Sequence, residues 1–152
     1  EMLARLDGVV SLAREAGGYQ AFRQALYEQG DRFFCRITCD SRETVPLAFA
    51  LLLLSDGDPE AAVTYAANLG RDADTIGAMV GAIAGALAGI EGIRADWVAK
   101  AERLSAVDQG ELAQALVASA LAKADRERGA QELLRAISGG SETMGTQNDV
   151  EQ

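Results

Sequence analysis

The chain has 152 residues, 49% of them hydrophobic, with 14 Lys and Arg against 23 Asp and Glu, a formal net charge of −9 and a pI near 4.5. That length and apolar content suffice for one globular domain with a real core and exclude a disordered chain. The acidic balance excludes a general nucleic-acid surface, which needs basic patches, and the absence of histidine excludes imidazole-based metal sites and bases.

Only 2 prolines and 5% aromatics, beside abundant Ala and Leu, favour helices throughout. Leu3, Leu6, Val10 and Ala13 form an opening helical stripe that stops at Gly17 and Gly18. A second helix is expected from Tyr19 to Gln29, with Phe22, Leu26 and Tyr27 facing inward and Gly30 closing it. Residues 31–40 read as irregular but apolar enough, through Phe33, Phe34 and Ile37, to pack on the core. Cys35 and Cys39 are four apart; on a helix they would share a face, but neither a second Cys pair nor a His is present to complete a zinc site. They are expected as buried or half-buried thiols, with a disulfide possible only where geometry permits. Asp40, Ser41, Arg42 and Glu43 read either as a solvated loop and N-cap or as a cleft lining.

The next helix begins at Ser41 or Arg42 and runs to Leu54, with Pro46 near its first turn, where proline is tolerated. Asp58 is a good N-cap and Pro59 a good first residue for a helix reaching Leu69. Gly70 can end that helix in a left-handed conformation.

The most informative stretch follows. In Asn68-Leu69-Gly70-Arg71-Asp72-Ala73-Asp74-Thr75-Ile76-Gly77, two carboxylates one residue apart are followed at once by a hydroxyl. Asp and Thr cap helices well, and the positive end of the helix dipole favours carboxylates. Capping alone therefore accounts for one Asp. Two acids and a Thr in four residues exceed that need, and crowded anions are costly unless a cation offsets them. An all-oxygen set suits Mg²⁺ or Mn²⁺. From Thr75 to Ile90 there is no charged residue; Gly77, Gly81, Gly85 and Gly89 recur every fourth position among Ala78, Ala82, Ala84, Ala86 and Ala88. Each Gly costs about 1 kcal/mol against Ala in a helix, so the row makes sense where neighbouring helices approach closely. The run falls short of the roughly 20 apolar residues of a membrane span. A central core helix is expected, with Ile76, Met79, Val80, Ile83, Leu87 and Ile90 as its apolar bulk.

Further on, a helix is expected from Ile93 to Leu104, with Trp97 packing on the body or stacking on an adenine. Leu112, Leu116, Val117, Ala120 and Leu121 mark an amphipathic helix over residues 108–123, and Leu133, Leu134 and Ile137 continue the stripe to Ser138. Asp125 to Arg128 is a charge run, most simply a solvated face. Residues 139–152, rich in Gly, Ser, Thr and acids, read as a disordered tail.

The string from Ala67 to Ala78, running into Gly81-Ala82-Ile83-Ala84-Gly85-Ala86-Leu87-Ala88-Gly89, resembles the C-terminal motif of the ADP-ribosylglycohydrolase family, which includes the dinitrogenase reductase-activating glycohydrolase and the ADP-ribosyl-acceptor hydrolases. Upstream, Glu43-Thr44-Val45-Pro46-Leu47-Ala48 and Leu51-Leu52-Leu53-Leu54-Ser55-Asp56-Gly57-Asp58 resemble the helix and turn that precede that motif, so the similarity spans Cys39 to Trp97. It implies an all-α, compact orthogonal helical bundle and hydrolysis of the bond between C1″ of ADP-ribose and its acceptor at a binuclear Mg²⁺ or Mn²⁺ centre. Asp72, Asp74 and Thr75 fall on the family's C-terminal metal ligands, with Asp72 and Asp74 also as the catalytic carboxylates. Arg71 and Asn68 are candidate substrate contacts. Where many family members carry Gly this chain has Arg71, which can meet a phosphate or ribose or form a surface ion pair. The family's second ligand set, a Thr-Asp-Asp run near its N-terminus, does not occur in these residues.

Residues 1–138 are thus expected to form the C-terminal half of such a domain, completed by an N-terminal half of the same enzyme. The implied substrate is an ADP-ribosylated protein or small-molecule conjugate, in the cytoplasm, with no nucleic-acid surface and no membrane span. Its alternative is a non-catalytic helical binding or structural protein of the same fold.

Overall fold

The computed structural model describes residues 1–139, which contain eight α-helices, one 3₁₀ turn and, among these residues, no strand. The tail expected over residues 139–152 lies, beyond its first residue, outside the described residues. The all-α expectation is met. No described helix is long and apolar enough to cross a membrane.

Residues 1–100 form one unit. It contains α1 (Met2–Glu15), α2 (Tyr19–Glu28), the single turn α3 (Gly30–Phe33), α4 (Ser41–Leu54), α5 (Pro59–Leu69) and α6 (Ala73–Ala88), then a 3₁₀ turn (Ile90–Gly92) and the start of α7 (Ala95–Leu104). The helix starts follow the capping chemistry of the sequence. Asp40 accepts from the Arg42 N–H at the head of α4 and Asp58 from the Ala61 N–H at the head of α5, with Pro59 in the first turn. Helix α1 packs on α4, and α5 lies along α6, which also meets α4. The core is Val9, Phe22, Leu26, Leu47, Leu51, Leu69, Ile76 and Val80, with the fully buried Ala50, Ala62, Ala66 and Ala84 among them.

Two glycines of the row face α5. A Cβ on Gly77 would stand 3.9 Å from the Ala66 Cβ, and one on Gly81 3.4 Å from the Val63 Cγ2, ordinary van der Waals spacings, so the close helix approach expected from the row is not what requires glycine at these two positions. Only one side of α6 is covered in this way. Ile76, Val80 and Ala84 are buried, while Leu87 is 73% and Ile90 66% exposed and Ile83 is partly so. The expected central core helix is present, and among the described residues its buried face is the one toward α4 and α5.

Other boundaries also shift. Gly30 opens the turn α3 rather than closing α2, since the Phe34 N–H bonds to the Gly30 carbonyl and Phe33 is drawn into the core. Pro46 is the sixth residue of α4, not a first-turn residue; it is buried, and the helix continues through it. Cys35 and Cys39 lie outside helices, both are free thiols, and Cys39 is exposed rather than buried.

Residues 101–139 belong to the second unit. The expected stripe is carried by one uninterrupted helix, α8 (Gln109–Gly139), whose first turn is capped by the Asp108 carboxylate accepting from the Glu111 N–H. Within this unit its Leu112, Leu116, Leu121 and Leu133 side chains are exposed.

Candidate functional site

The turn between α5 and α6 is three residues long, and each is held separately. Helix α5 ends with carbonyls that lack intrahelical donors. Two of them are satisfied from α2: Arg23 Nε donates to the Asn68 carbonyl at 3.0 Å and the Tyr27 hydroxyl to the Leu69 carbonyl at 2.9 Å. Tyr27 thereby keeps a fixed tip although the residue is 43% exposed, more than the inward-facing position expected from the sequence. Gly70 has φ +87°, and a Cβ there would stand 2.5 Å from the Tyr27 hydroxyl oxygen. Both the backbone angle and the space demand glycine.

Arg71 is also left-handed, with φ +62°. A side chain in that region costs about 1–2 kcal/mol, so other contacts must hold it. They are dense. Its Nε donates to Glu43 Oε1 at 2.6 Å, and its Nη2 donates to Glu43 Oε2 and to the Cys35 carbonyl, both at 2.7 Å. The guanidinium also lies over the Phe34 ring, 4.5 Å from its centroid. The Glu43 side chain has no exposed surface and takes a third hydrogen bond from the Cys35 N–H at 2.5 Å. The hydrogen bonds from Arg71 to Glu43 push the arginine pKa further up against its own burial. Arg71 therefore makes an ion pair, but a sheltered one with a buried glutamate rather than the surface pair considered from sequence, and its fork is turned toward the protein.

Asp72 occupies the N-cap position of α6 but does not cap it: its side chain makes no capping hydrogen bond, and only its carbonyl enters the helix, accepting from the Ile76 N–H at 3.0 Å. Asp72 Oδ2 is buried and has no hydrogen-bond partner among the described residues. A buried carboxylate oxygen without a partner costs on the order of 1–3 kcal/mol. Capping thus fails to explain Asp72, and an oxygen needing a positive partner is what a hard cation would satisfy. Asp74 and Thr75 are the second and third residues of α6, both exposed in its first turn, where the helix dipole favours anionic oxygen. This oxygen-only set fits Mg²⁺ or Mn²⁺. Among the described residues no group of three or more acids, Cys or His is gathered tightly enough to hold a metal by itself.

Asn68 is not brought to this turn. Its Nδ2 donates back to the Thr64 carbonyl at 2.8 Å, and it lines a separate surface depression with Tyr19, Arg23 and Tyr65. Glu43, which the sequence left open between a solvated loop and N-cap and a cleft lining, is instead the buried partner of Arg71. Tyr27 was read as core, although its hydroxyl fixes the end of α5.

The family model for ADP-ribosylglycohydrolase matches residues 1–133. A curated relative, described as uncharacterized protein YegU of Escherichia coli (strain K12), is 40% identical over 127 residues, covering 84% of this chain and 35% of its own length. The chain therefore spans about a third of the length of that relative. No solved structure matches. The family match over most of the chain, with the all-α fold and the Asp72-Ala73-Asp74-Thr75 turn at the head of a glycine-rich helix, shows that this chain belongs to the ADP-ribosylglycohydrolase family.

Proposed function

We propose that this chain is part of a metal-dependent hydrolase that cleaves the glycosidic bond between ADP-ribose and its acceptor, and that Asp72, Asp74 and Thr75 are its contribution to a divalent-cation centre. The observation that carries this reading is the buried, unpartnered Asp72 Oδ2 at a helix N-terminus. Family membership supplies the reaction class.

In this reading Asp72 and Asp74 hold Mg²⁺ or Mn²⁺ with the Thr75 hydroxyl as neutral partner, and a second ion takes its ligands from outside these residues, in an N-terminal half of the same enzyme. Bound divalent ions would supply Lewis-acid orientation of ribose oxygens and of a water. The carboxylate of Asp72 or Asp74 would accept a hydrogen bond from that water and orient it for attack at the anomeric carbon. With a formal charge of −9, the chain attracts an ADP-ribosyl group only through local positive charge, which the cation centre provides. Arg71, if it contacts substrate, does so while keeping its fork on Glu43; Asn68 would act from the neighbouring depression. The substrate is an ADP-ribosylated protein or small-molecule conjugate, and the free state of both cysteines fits a reducing, cytoplasmic compartment.

The test is titration calorimetry of the full-length gene product with Mg²⁺ and with Mn²⁺, with and without ADP-ribose, comparing wild type with Asp74→Ala. Divalent binding that strengthens ADP-ribose affinity and is lost in the variant is the expected result. Absence of metal-dependent ADP-ribose binding would overturn the hydrolase reading and leave a non-catalytic helical scaffold.

A further inference from the structure

We infer that Glu43 is a positioning residue for the Asp72 turn: through its two-pronged pairing with Arg71 it holds the left-handed residue that sets Asp72, and so governs the affinity of the 72–75 segment for a divalent cation. This rests on the cation-site reading above. The supporting geometry is specific. Glu43 has no exposed surface and both its oxygens are engaged. Arg71 is the residue immediately before Asp72 and sits at φ +62°, a conformation that an L-residue keeps only when its surroundings over-determine it. The surroundings are Glu43 on α4, the Cys35 carbonyl and the Phe34 ring, all remote in sequence from the turn they hold.

A buried ion pair is a poor device for stability alone, since well-packed apolar residues of similar volume often do as well. Here the pair does something an apolar pair would not: a planar fork against a carboxylate fixes direction as well as distance. Tyr27 fixes the chain at Leu69, and Arg71 fixes it two residues later. Asp72 comes directly after the second anchor, and its carbonyl is tied into α6 by the Ile76 N–H, so it has little freedom. Its Oδ2 is held buried without a protein donor, a state that a slack turn would relieve by rotating toward solvent.

The experiment uses the full-length gene product in wild type and in Glu43→Gln, Arg71→Lys and Asp72→Asn variants. Two readouts are taken: amide hydrogen exchange of residues 70–76 in chelator, and Mn²⁺ affinity by electron paramagnetic resonance titration. Arg71→Lys keeps the charge but loses the fork, and it decides the case should Glu43→Gln fail to fold. The expected result is faster exchange confined to residues 70–76 and about tenfold weaker Mn²⁺ binding in both Glu43→Gln and Arg71→Lys, the size seen when residues that orient metal ligands are changed. Wild-type Mn²⁺ affinity in Arg71→Lys, with loss in Asp72→Asn, would overturn the positioning role and leave the cation site standing. Wild-type protein that binds no Mn²⁺, or binds it as Asp72→Asn does, would overturn the site itself and the inference with it.

Discussion

Replacing Asp72 by alanine separates the two explanations of its presence by the sign of one number. At an ordinary N-cap, Asp→Ala costs about 0.5–2 kcal/mol because a helix N–H loses its acceptor. Asp72 makes no such bond, and its Oδ2 is buried without a partner. Removing that oxygen recovers about 1–3 kcal/mol of desolvation cost. Loss of a carboxylate from the helix N-terminus returns roughly 0.3–1 kcal/mol of dipole stabilisation. In chelator, Asp72→Ala is therefore expected to be at least as stable as wild type, and more stable by up to about 2.7 kcal/mol, the difference of those terms. Urea unfolding of the full-length protein with excess chelator measures it, with the slope checked for a common two-state transition. Divalent ion should reverse the order. At 100 times its Kd, a ligand specific for the native state adds about 2.7 kcal/mol to wild type and nothing to the variant. A variant less stable than wild type in chelator would refute the reasoning and make Asp72 a helix cap.

Three further outcomes follow from the same geometry. Arg71→Gly removes the partner of a buried glutamate but relieves the positive φ; with about 3–5 kcal/mol lost for a broken buried pair and about 1–2 kcal/mol regained, a net loss of roughly 1–4 kcal/mol is expected in urea unfolding. Gly70→Ala forces a methyl to 2.5 Å from the Tyr27 oxygen at φ +87°, so it should destabilise markedly, and adding Tyr27→Phe should recover part of the loss in a double-mutant cycle. Asp40, chelated by the Arg42 side chain, has its carboxyl pKa lowered from 3.8 to about 2. Because the folded value lies below the unfolded one, the stabilisation it gives is complete above about pH 4 and is lost as the pH falls toward 2. NMR titration of the Asp40 carboxyl should show this low midpoint, and Arg42→Ala should raise it.

Helix boundaries were legible where local chemistry sets them. Asp58 with Pro59, Asp40, and Gly70 are readable because a cap or a positive φ is decided within a few residues. The glycine row was legible as a contact face but not as a need for glycine: Gly77 and Gly81 do meet α5, at spacings a Cβ would fit. The turn was legible as chemistry but not as geometry. Nothing local distinguishes an Asp72 that caps α6 from one that leaves an oxygen buried and alone. Glu43 and Arg71 are 28 residues apart, one on α4 and one in a turn, and a pair at that separation leaves no periodic trace in the sequence. The apolar stripe misled in the opposite direction: Leu87 and Ile90 have the spacing of buried residues, but a pattern states only that a face is apolar, not that the described residues cover it.

The three residues between α5 and α6 also act as a ruler. If Arg71 keeps its partners on α4, a residue inserted after it passes into α6 and turns Gly81 by about 100° away from Val63. If α6 instead keeps its register against α5, the extra residue stays in the turn and draws Arg71 and Asp72 off their present positions. Added length at this turn therefore costs either the packing register or the aim of Asp72.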